Sequence, residues 1–204
     1  MPGLYGRMKK QAEAVIPTPQ GKFRMIAYAA APDDPMPHVA MVHESFVPGS
    51  EHPTTVRIHS ECMTGDLFGS HRCDCGEQLD AALRAAARTG GVVVYLRQEG
   101  RGIGLINKLR AYELQDEGHN TLTANTHLGL PPDARTYEDA VTILSDLDIS
   151  RIRLLTNNPL KIDAIDRSAI EVVDRVALEI PLRSQNRDYL LTKQKKMGHL
   201  TDYR

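Results

Sequence analysis

The sequence predicts a mixed α/β fold, with a β-rich N-terminal part followed by strands and helices that alternate around a mixed sheet. Short strand-like segments separated by Pro and Gly turns fill the first third of the chain. After residue 75 the apolar spacing becomes helical, and the two kinds of segment then alternate. The 204 residues fit one domain or a compact pair. We expect a single domain over 1–204, in which 1–50 form a β-rich lead-in and 51–204 carry the site.

Turn residues separate the predicted strands of the first third. A cluster of Pro, Thr, Gln and Gly at 17–21 precedes the first strand, and a loop rich in Pro and Asp at 31–37 follows it. Pro48 and Gly49 lie between the next two strands. The strands predicted here are 22–29, 38–44 and 54–59.

Apolar spacing and glycine stops define the elements after residue 75. Apolar residues from Leu79 to Ala86 recur at i, i+3, i+4 and i+7, and Gly90 ends this helix. The next helix places Leu105, Leu109 and Tyr112 on one side. The later predicted elements are helices over 104–117 and from Thr136, Pro159 and Asn186, and strands at 92–96, 152–156 and 171–176.

All three cysteines lie close together in the sequence, as Cys62, Cys73 and Cys75. One disulfide would leave one thiol over, whereas three thiolates suit a single soft divalent ion such as zinc. A structural zinc site normally has four protein ligands, so three favour a catalytic site that keeps one position for water. His59 is a candidate fourth ligand or a neighbour of the site. The alternative for the cysteines is three ordinary buried thiols.

Polar residues follow two of the predicted strands, where α/β folds bind their ligands. Arg57 to Glu61 runs directly into Cys62, and its side chains suit phosphate binding or support of a metal ligand. Arg97 to Gly104 combines arginines with glycines whose N–H groups can approach an anion at a helix N-terminus. The alternative for this second loop is a tight turn. Its two arginines favour triphosphate binding.

Two further loops carry polar groups that also have simpler interpretations. Thr156 to Lys161 offers a hydroxyl, amides and a lysine, or is an ordinary capped helix start. Pro131 to Arg135 presents a carboxylate and a guanidinium on a stiff loop, or a surface ion pair of little energetic weight. With the cysteines, these loops predict a zinc hydrolase acting on a phosphorylated substrate, because zinc lowers the pKa of bound water to about 7.

The composition is that of an ordinary globular protein and argues against several classes. It is 41% hydrophobic and 25% charged with a net charge of -1, so it gives no general attraction to nucleic acid or membranes. The sequence has no apolar run of about 18 residues, and Met1 to Tyr5 lack the apolar core of a signal peptide. Reduced cysteines suit the cytosol. We therefore expect a cytoplasmic protein with no nucleic-acid or membrane partner.

Five segments share a pattern with one enzyme family. They are R-I-H-S-E-C-M-T-G-D at 57–66, F-G-S-H-R-C-D-C-G-E-Q-L at 68–79, R-Q-E-G-R-G-I-G-L-I-N-K at 97–108, T-N-N-P-L-K at 156–161 and T-K-Q-K-K-M-G-H at 192–199. In this order they resemble GTP cyclohydrolase II, which opens the imidazole ring of guanine at the start of riboflavin synthesis. The first 50 residues resemble the family only loosely.

The resemblance implies one zinc ion per chain, Mg²⁺ with the triphosphate, GTP as the substrate and a homodimer. Zinc would be bound by Cys62, Cys73 and Cys75. The residues implied to bind GTP are Arg57, Ile58, His59, Ser60, Glu61, Gln78, Glu99, Gly100, Arg101, Thr121, Thr156 and Lys161.

The resemblance also implies three catalytic roles. Asp133 would accept a proton, Arg135 would attack the α-phosphate and release pyrophosphate, and Tyr112 would lie beside the ring and assist its hydrolysis. Water supplied at the metal would add at C8 of the guanine, and a second hydrolysis would release formate. The remaining product would be 2,5-diamino-6-(5-phospho-ribosylamino)pyrimidin-4(3H)-one.

Two positions depart from the family pattern, and two alternatives stay open. His71 replaces an apolar residue, and Leu160 stands where a basic residue is frequent. We expect the dihydroxybutanone-phosphate synthase domain that is often fused to the family to be absent from a chain of this length. One alternative is a relative that stops at the formamidopyrimidine intermediate or uses a modified guanine nucleotide. The other is a small zinc module that binds nucleic acid through its basic tail at 193–196.

Overall fold

A computed structural model describes residues 8–119, 121–131, 133–196 and 198–201, and the strands within them form one seven-stranded sheet. The strands are β1 (Lys9–Thr18), β2 (Gly21–Ala29), β3 (His38–His43), β4 (Thr54–Ser60), β5 (Val92–Leu96), β6 (Arg151–Leu155) and β7 (Glu171–Val176). The helices are α1 (Met63–Asp66), α2 (Cys75–Thr89), α3 (Gly104–Asp116), α4 (Thr121–His127), α5 (Glu138–Asp146), α6 (Pro159–Asp166) and α7 (Arg187–Lys196), with a 3₁₀ turn at Glu99–Gly102.

The sheet is mixed, as predicted. Its strand order is β1-β2-β3-β5-β4-β6-β7. The β1–β2, β2–β3 and β3–β5 pairs are antiparallel, whereas β5–β4, β4–β6 and β6–β7 are parallel. The β-rich lead-in thus forms one antiparallel half, and the alternating region forms the parallel half.

Helices cover both faces of the sheet. On one face α2 packs Ala82 and Ala86 against Phe23 and Val93. On the other face α5 and α6 pack against a larger apolar cluster that includes Val94 of β5. Because β5 is covered on both faces, four of its five residues are buried, and those four are valines and a leucine.

The strand order creates a crevice at the parallel half of the sheet. From β4 the chain passes to β5 on one side, and from β5 it returns to β6 on the other side of β4. Such a reversal leaves the carboxyl ends of the three strands open to a ligand. The loops that follow β4, β5 and β6 therefore meet at one edge, and they are the loops that carry the predicted site residues. No helix in the described part of the chain is long and apolar enough to span a bilayer.

Most of the predicted elements are present, but β1, α1 and α4 were not predicted. Strand β1 lies at the sheet edge and is exposed along most of its length, so it has no apolar alternation to detect. Its Pro17 is tolerated because an edge strand does not need every N–H for the ladder. Pairing with β2 stabilises it instead.

The side of α3 predicted to carry Leu105, Leu109 and Tyr112 is only partly buried. Leu109 is 46% exposed, whereas Lys108 and Ala111 are the buried residues of this helix. The helix packs beside the crevice rather than against the apolar core. The face of α3 that points inward therefore carries polar and aromatic groups, and the positions of the leucines do not identify it.

Candidate active site

One cavity lies at the carboxyl ends of β4, β5 and β6, and most of the predicted site residues line it. It is bounded by the loops after these strands and by α2, α3 and α7. The predicted residues in its lining are Arg57, His59, Ser60, Glu61, Cys62, Cys73, Cys75, Gln78, Glu99, Gly100, Arg101, Tyr112, Arg135, Thr156 and Lys161.

Three other predicted residues are placed differently. The Ile58 side chain is fully buried in the core, and its carbonyl oxygen accepts a hydrogen bond from Lys161 Nζ at 2.7 Å. Asp133 reaches the site through its contact with Arg135. Thr121 begins α4, but its side chain lies outside the part of the chain that the structure describes.

The three cysteine sulfurs form a group that can hold a metal ion. Their Sγ atoms all lie within 4.8 Å of one another, and those of Cys62 and Cys73 are 3.6 Å apart. Two glycines make room for this approach. A Cβ added at Gly65 would lie 2.9 Å from Cys73 Sγ, and one added at Gly76 would lie 2.3 Å from the Gly65 carbonyl oxygen.

The electrostatics of the sulfurs fit a soft cation. Hydrogen bonding from Cys73 lowers the pKa of the Cys62 thiol far below its ordinary value. The same hydrogen bond raises the pKa of Cys73 to about 11, and the pKa of Cys75 is raised further by its hydrogen bonds to both neighbours. Three thiolates this close repel one another, so full deprotonation requires a bound cation. No His, Asp or Glu within the described residues joins the group, which fits a site with an open position.

His59 supports the cysteine loop rather than joining the sulfurs. Its Nε2 lies 3.1 Å from both carboxylate oxygens of Asp66. The same carboxylate accepts hydrogen bonds from Tyr95 Oη at 2.8 Å and from the Cys62 N–H at 2.9 Å. Burial lowers the pKa of His59, so the ring is held neutral. Asp66 and Tyr95 were missed by the sequence reasoning, although Asp66 ends the segment at 57–66.

The loop after β5 adopts a left-handed backbone that only glycine adopts without strain. Gly100, Gly102 and Gly104 have φ values of 62°, 86° and 81°, and Arg101 between them has φ 61°. A non-glycine residue in this region costs about 1–3 kcal/mol and is typical of functional sites. Both terminal nitrogens of Arg101 are buried without a hydrogen-bond partner. The strained backbone thus holds the Arg101 guanidinium toward the cavity, where a bound anion would accept hydrogen bonds from its two terminal nitrogens.

Buried cations converge on the ends of β4 and β6. Arg57 donates to the Leu155 carbonyl oxygen at 3.0 Å and to Gln78 Oε1 at 2.5 Å. Lys161 is also buried, and burial followed by repulsion from Arg57 and Arg135 depresses its pKa well below the ordinary value. A bound polyanion would remove this repulsion. This end of the cavity is therefore suited to a chain of phosphates.

Asp133 and Arg135 form a buried pair rather than a surface ion pair. Arg135 donates from Nε and Nη2 to the two carboxylate oxygens, at 2.8 and 2.5 Å, and both side chains are less than 15% exposed. The pair is held beside the β5 loop, since the Ala134 N–H donates to the Arg101 carbonyl oxygen at 3.0 Å. Although burial alone would raise it, the hydrogen bond from Arg135 lowers the pKa of Asp133.

The basic tail predicted at 186–197 forms α7, which closes one side of the cavity. Lys193 Nζ donates to Asp74 Oδ1 at 3.0 Å, and Asp74 also accepts from the Gln78 side chain. Lys193 lies 4.3 Å from the ring centroid of Tyr189. Because its charge is directed inward, Lys193 is not free to contact a nucleic acid. Asp74 and Tyr189 were not singled out from the sequence, and Lys193 was considered only as part of the basic tail of the nucleic-acid alternative.

The other residues discussed from the sequence lie at a helix cap, in the cavity wall or at the surface. Asn158 caps α6 through its side chain, which accepts a hydrogen bond from the Leu160 N–H at 3.0 Å. The loop from Thr156 to Lys161 is therefore a capped helix start, and it also lines the cavity. Tyr112 lies in the cavity wall with the Arg72 guanidinium 4.9 Å from its ring centroid. Burial raises the pKa of Tyr112, so its hydroxyl keeps its proton. The two departures from the family pattern, at His71 and Leu160, are both exposed.

Sequence comparison relates this chain to one family and to longer proteins. The family model described as GTP cyclohydrolase II matches residues 9–177. Riboflavin biosynthesis protein RibBA of Bacillus cereus is 52% identical over 192 residues, and the protein of the same name from Bacillus subtilis is 48% identical over 197 residues. These matches cover 94% and 96% of this chain but 48% and 49% of the relatives. The chain thus spans about half the length of the curated relatives it matches.

One solved structure is also similar. It is described as RibBX, a two domain 3,4-dihydroxy-2-butanone 4-phosphate synthase from A. baumannii. It shares 20% sequence identity, and the TM-score is 0.48 over 85% of this chain and 40% of that chain.

Proposed function

The chain belongs to the GTP cyclohydrolase II family, and from that premise we propose that it hydrolyses GTP to formate, pyrophosphate and the diaminopyrimidinone 5-phospho-ribosylamine of riboflavin synthesis. One observation carries the proposal. A cysteine group that can hold a metal and a cluster of buried cations suited to phosphates line the same cavity. Those two sites are what opening a purine ring on a triphosphate requires.

The metal in this proposal is one zinc ion per chain, bound by Cys62, Cys73 and Cys75. Three sulfur donors within 4.8 Å of one another suit a soft divalent ion. A zinc ion bound there supplies Lewis acidity and lowers the pKa of coordinated water to about 7. Asp66 keeps the Cys62 backbone in place for it.

The triphosphate occupies the cationic end of the cavity together with Mg²⁺. Arg57, Arg101 and Lys161 provide its positive charge, and Thr156 provides a hydroxyl at the same edge. The guanine then lies toward α3, near Tyr112 and the cysteines. This orientation is supported by the positions of Arg57 and Lys161 at the ends of β4 and β6, whereas Tyr112 lies on α3.

Asp133 and Arg135 perform the phosphate step. A guanidinium nitrogen of Arg135 forms a bond to the α-phosphorus as the P–O bond to pyrophosphate breaks, and water then cleaves the N–P bond, which regenerates Arg135 and leaves a monophosphate on the product. A guanidinium must lose a proton before it can attack, and the two hydrogen bonds from Arg135 to Asp133 support Asp133 as the acceptor of that proton. The remaining proposed contacts to GTP are His59, Ser60, Glu61, Gln78, Glu99, Gly100 and Thr121, with Ile58 contributing its backbone.

We further propose a cytoplasmic homodimer. The reduced cysteines of the candidate metal site support a cytosolic location. A non-enzymatic zinc module is less well supported, because Lys193 of the basic tail pairs with Asp74 inside the cavity.

Incubation with GTP, Zn²⁺ and Mg²⁺ tests the activity. We expect pyrophosphate, formate and the pyrimidine to form in equal amounts, as resolved by mass spectrometry. A formamidopyrimidine product without formate would identify a relative that stops at the intermediate. Turnover of a modified guanine nucleotide but not of GTP would change the substrate, and no turnover of either would contradict the proposal.

Replacing Tyr112 by Phe should separate ring hydrolysis from phosphate release. The ring and its contact with Arg72 stay, so the fold should be kept, while only the hydroxyl that we propose assists ring hydrolysis is lost. We expect formate release to fall at least about ten-fold, equivalent to about 1.4 kcal/mol in the barrier. Pyrophosphate release should change less. Equal formate release by variant and parent would make Tyr112 a packing residue only.

A further inference from the structure

A buried lysine touches the cysteine group, and the proposed chemistry assigns it no role. Lys108 projects from α3, and its side chain is 10% exposed. Its Nζ donates hydrogen bonds to Cys62 Sγ at 3.1 Å and to Glu99 Oε1 at 2.8 Å. Burying an ammonium group is unfavourable unless its partners compensate. Both partners here belong to loops of the candidate site.

The surrounding loops are built to hold this lysine in place. Glu99 accepts hydrogen bonds from the Met63 N–H at 2.6 Å and from the Gly100 N–H at 2.7 Å. These two backbone groups hold its carboxylate in position independently of Lys108. Gly100 also leaves the space that the lysine needs, because an added Cβ would lie 3.1 Å from Lys108 Cβ. Lys108 thus joins the loop after β4 to the loop after β5 at the sulfur of Cys62.

We propose that Lys108 is a positioning residue for the metal centre. Its ammonium group donates a hydrogen bond to the Cys62 sulfur when that sulfur binds the metal, and it offsets part of the negative charge of the thiolates. This inference rests on the proposed metal centre. Three thiolates on a divalent ion carry an excess of negative charge, and an N–H donor at one sulfur reduces the charge which that sulfur gives to the metal. Groups that support metal ligands in this way typically change metal affinity about 10–100-fold when removed.

Lys108→Met tests the proposal because it keeps an unbranched apolar stem and removes the charge and the donor. Zinc affinity is measured by competition with a chromophoric chelator, and the sulfur-to-metal absorption band is recorded after Co²⁺ substitution. We expect affinity to fall about 10–100-fold. The band should move to longer wavelength, since a sulfur without its hydrogen bond donates charge more readily.

Lys161→Met is the matched control. It removes an equally buried lysine of the same cavity, whose Nζ donates to the Ile58 carbonyl and not to a sulfur. We expect its zinc affinity and its cobalt band to match those of the parent. Thermal unfolding of the metal-free proteins shows whether either change acts through the fold.

A double variant separates the sulfur contact from the carboxylate contact. Lys108→Met combined with Glu99→Gln removes the carboxylate that the single change leaves without its cation. The proposal expects affinity to stay low in the double variant, and recovery of parental affinity would overturn it. An unchanged band and affinity in Lys108→Met, or equal losses in Lys161→Met, would also overturn it while leaving the proposed function intact. A parent protein that binds no zinc would contradict both.

Discussion

Replacing Cys73 by Ser is expected to remove stoichiometric zinc and to abolish ring opening. Two sulfurs and a hydroxyl do not match the three-thiolate group, because serine stays protonated and is a poor ligand for a soft metal. The Cys73 sulfur also lies 3.6 Å from that of Cys62, so its loss leaves the remaining pair without the geometry of a three-point site. Metal content per chain and formate release from GTP measure the two effects.

Thr64→Val is a suitable control for this substitution. The Thr64 hydroxyl lies 3.6 Å from Cys62 Sγ, so the variant removes one long, uncharged hydrogen-bond contact to this sulfur and no sulfur. It should keep one zinc per chain. Full activity of a metal-free Cys73→Ser protein would contradict the proposal that zinc is needed for ring opening.

Metal affinity of the parent protein should also fall as the pH drops. The raised pKa of Cys73, about 11, and the raised pKa of Cys75 mean that these thiols hold their protons in the metal-free protein at neutral pH. Binding must therefore release protons, and a higher proton concentration opposes it. Competition titrations at two pH values measure the change.

The cysteine group was predictable because its information is local. Cys73 and Cys75 lie on either side of one residue, and the loop that carries Cys62 follows a strand whose apolar pattern is clear. The two glycines that let the sulfurs approach lie in the same two segments. Short-range spacing was therefore enough to predict that the three cysteines form one group, whereas the structure was needed to show that His59 contacts Asp66 and lies outside that group.

The inner face of α3 was not predictable from its apolar spacing. Periodicity shows that a helix has two faces, but it does not say whether the inner one meets an apolar core or a polar cavity. Leu109 therefore suggested the wrong face, and Lys108 was overlooked although it ends the segment at 97–108. A lysine buried by a carboxylate and a sulfur has no signature in the sequence of its own helix.

Contacts between residues far apart in the chain could not be predicted from the sequence for a different reason. Lys193 and Asp74 are 119 residues apart, and only the packing of α7 across the cavity brings them together. The Asp133 and Arg135 pair was visible, yet its burial was not, because burial depends on the contact between Ala134 and the β5 loop. Neighbouring charges in a sequence show that a pair can form but not how far it is removed from water.

Arg135→Ala is expected to eliminate pyrophosphate release, whereas Asp133→Asn should slow the steps that need proton transfer. The guanidinium is the group that attacks phosphorus in the proposed reaction, so its removal leaves no substitute at that position. Loss of a general base typically costs about 10²–10⁴-fold, and an amide in place of the Asp133 carboxylate keeps the shape but not the basicity. Rapid-quench measurement of pyrophosphate and formate separates the two effects.

The buried geometry of this pair requires a stability control. The Asp133 side chain is 14% exposed in the parent protein, and Arg135→Ala removes its cation. Removing one partner of a buried ion pair costs about 3–5 kcal/mol. The double variant Asp133→Asn with Arg135→Ala removes that stranded charge and should recover much of the stability while staying inactive. Arg135→Lys keeps the charge but loses the bidentate contact, and it should fold well and release little pyrophosphate. Near-normal turnover by Arg135→Ala and Asp133→Asn would make the pair structural, and the phosphate step would then have to lie with Arg57, Arg101 or Lys161.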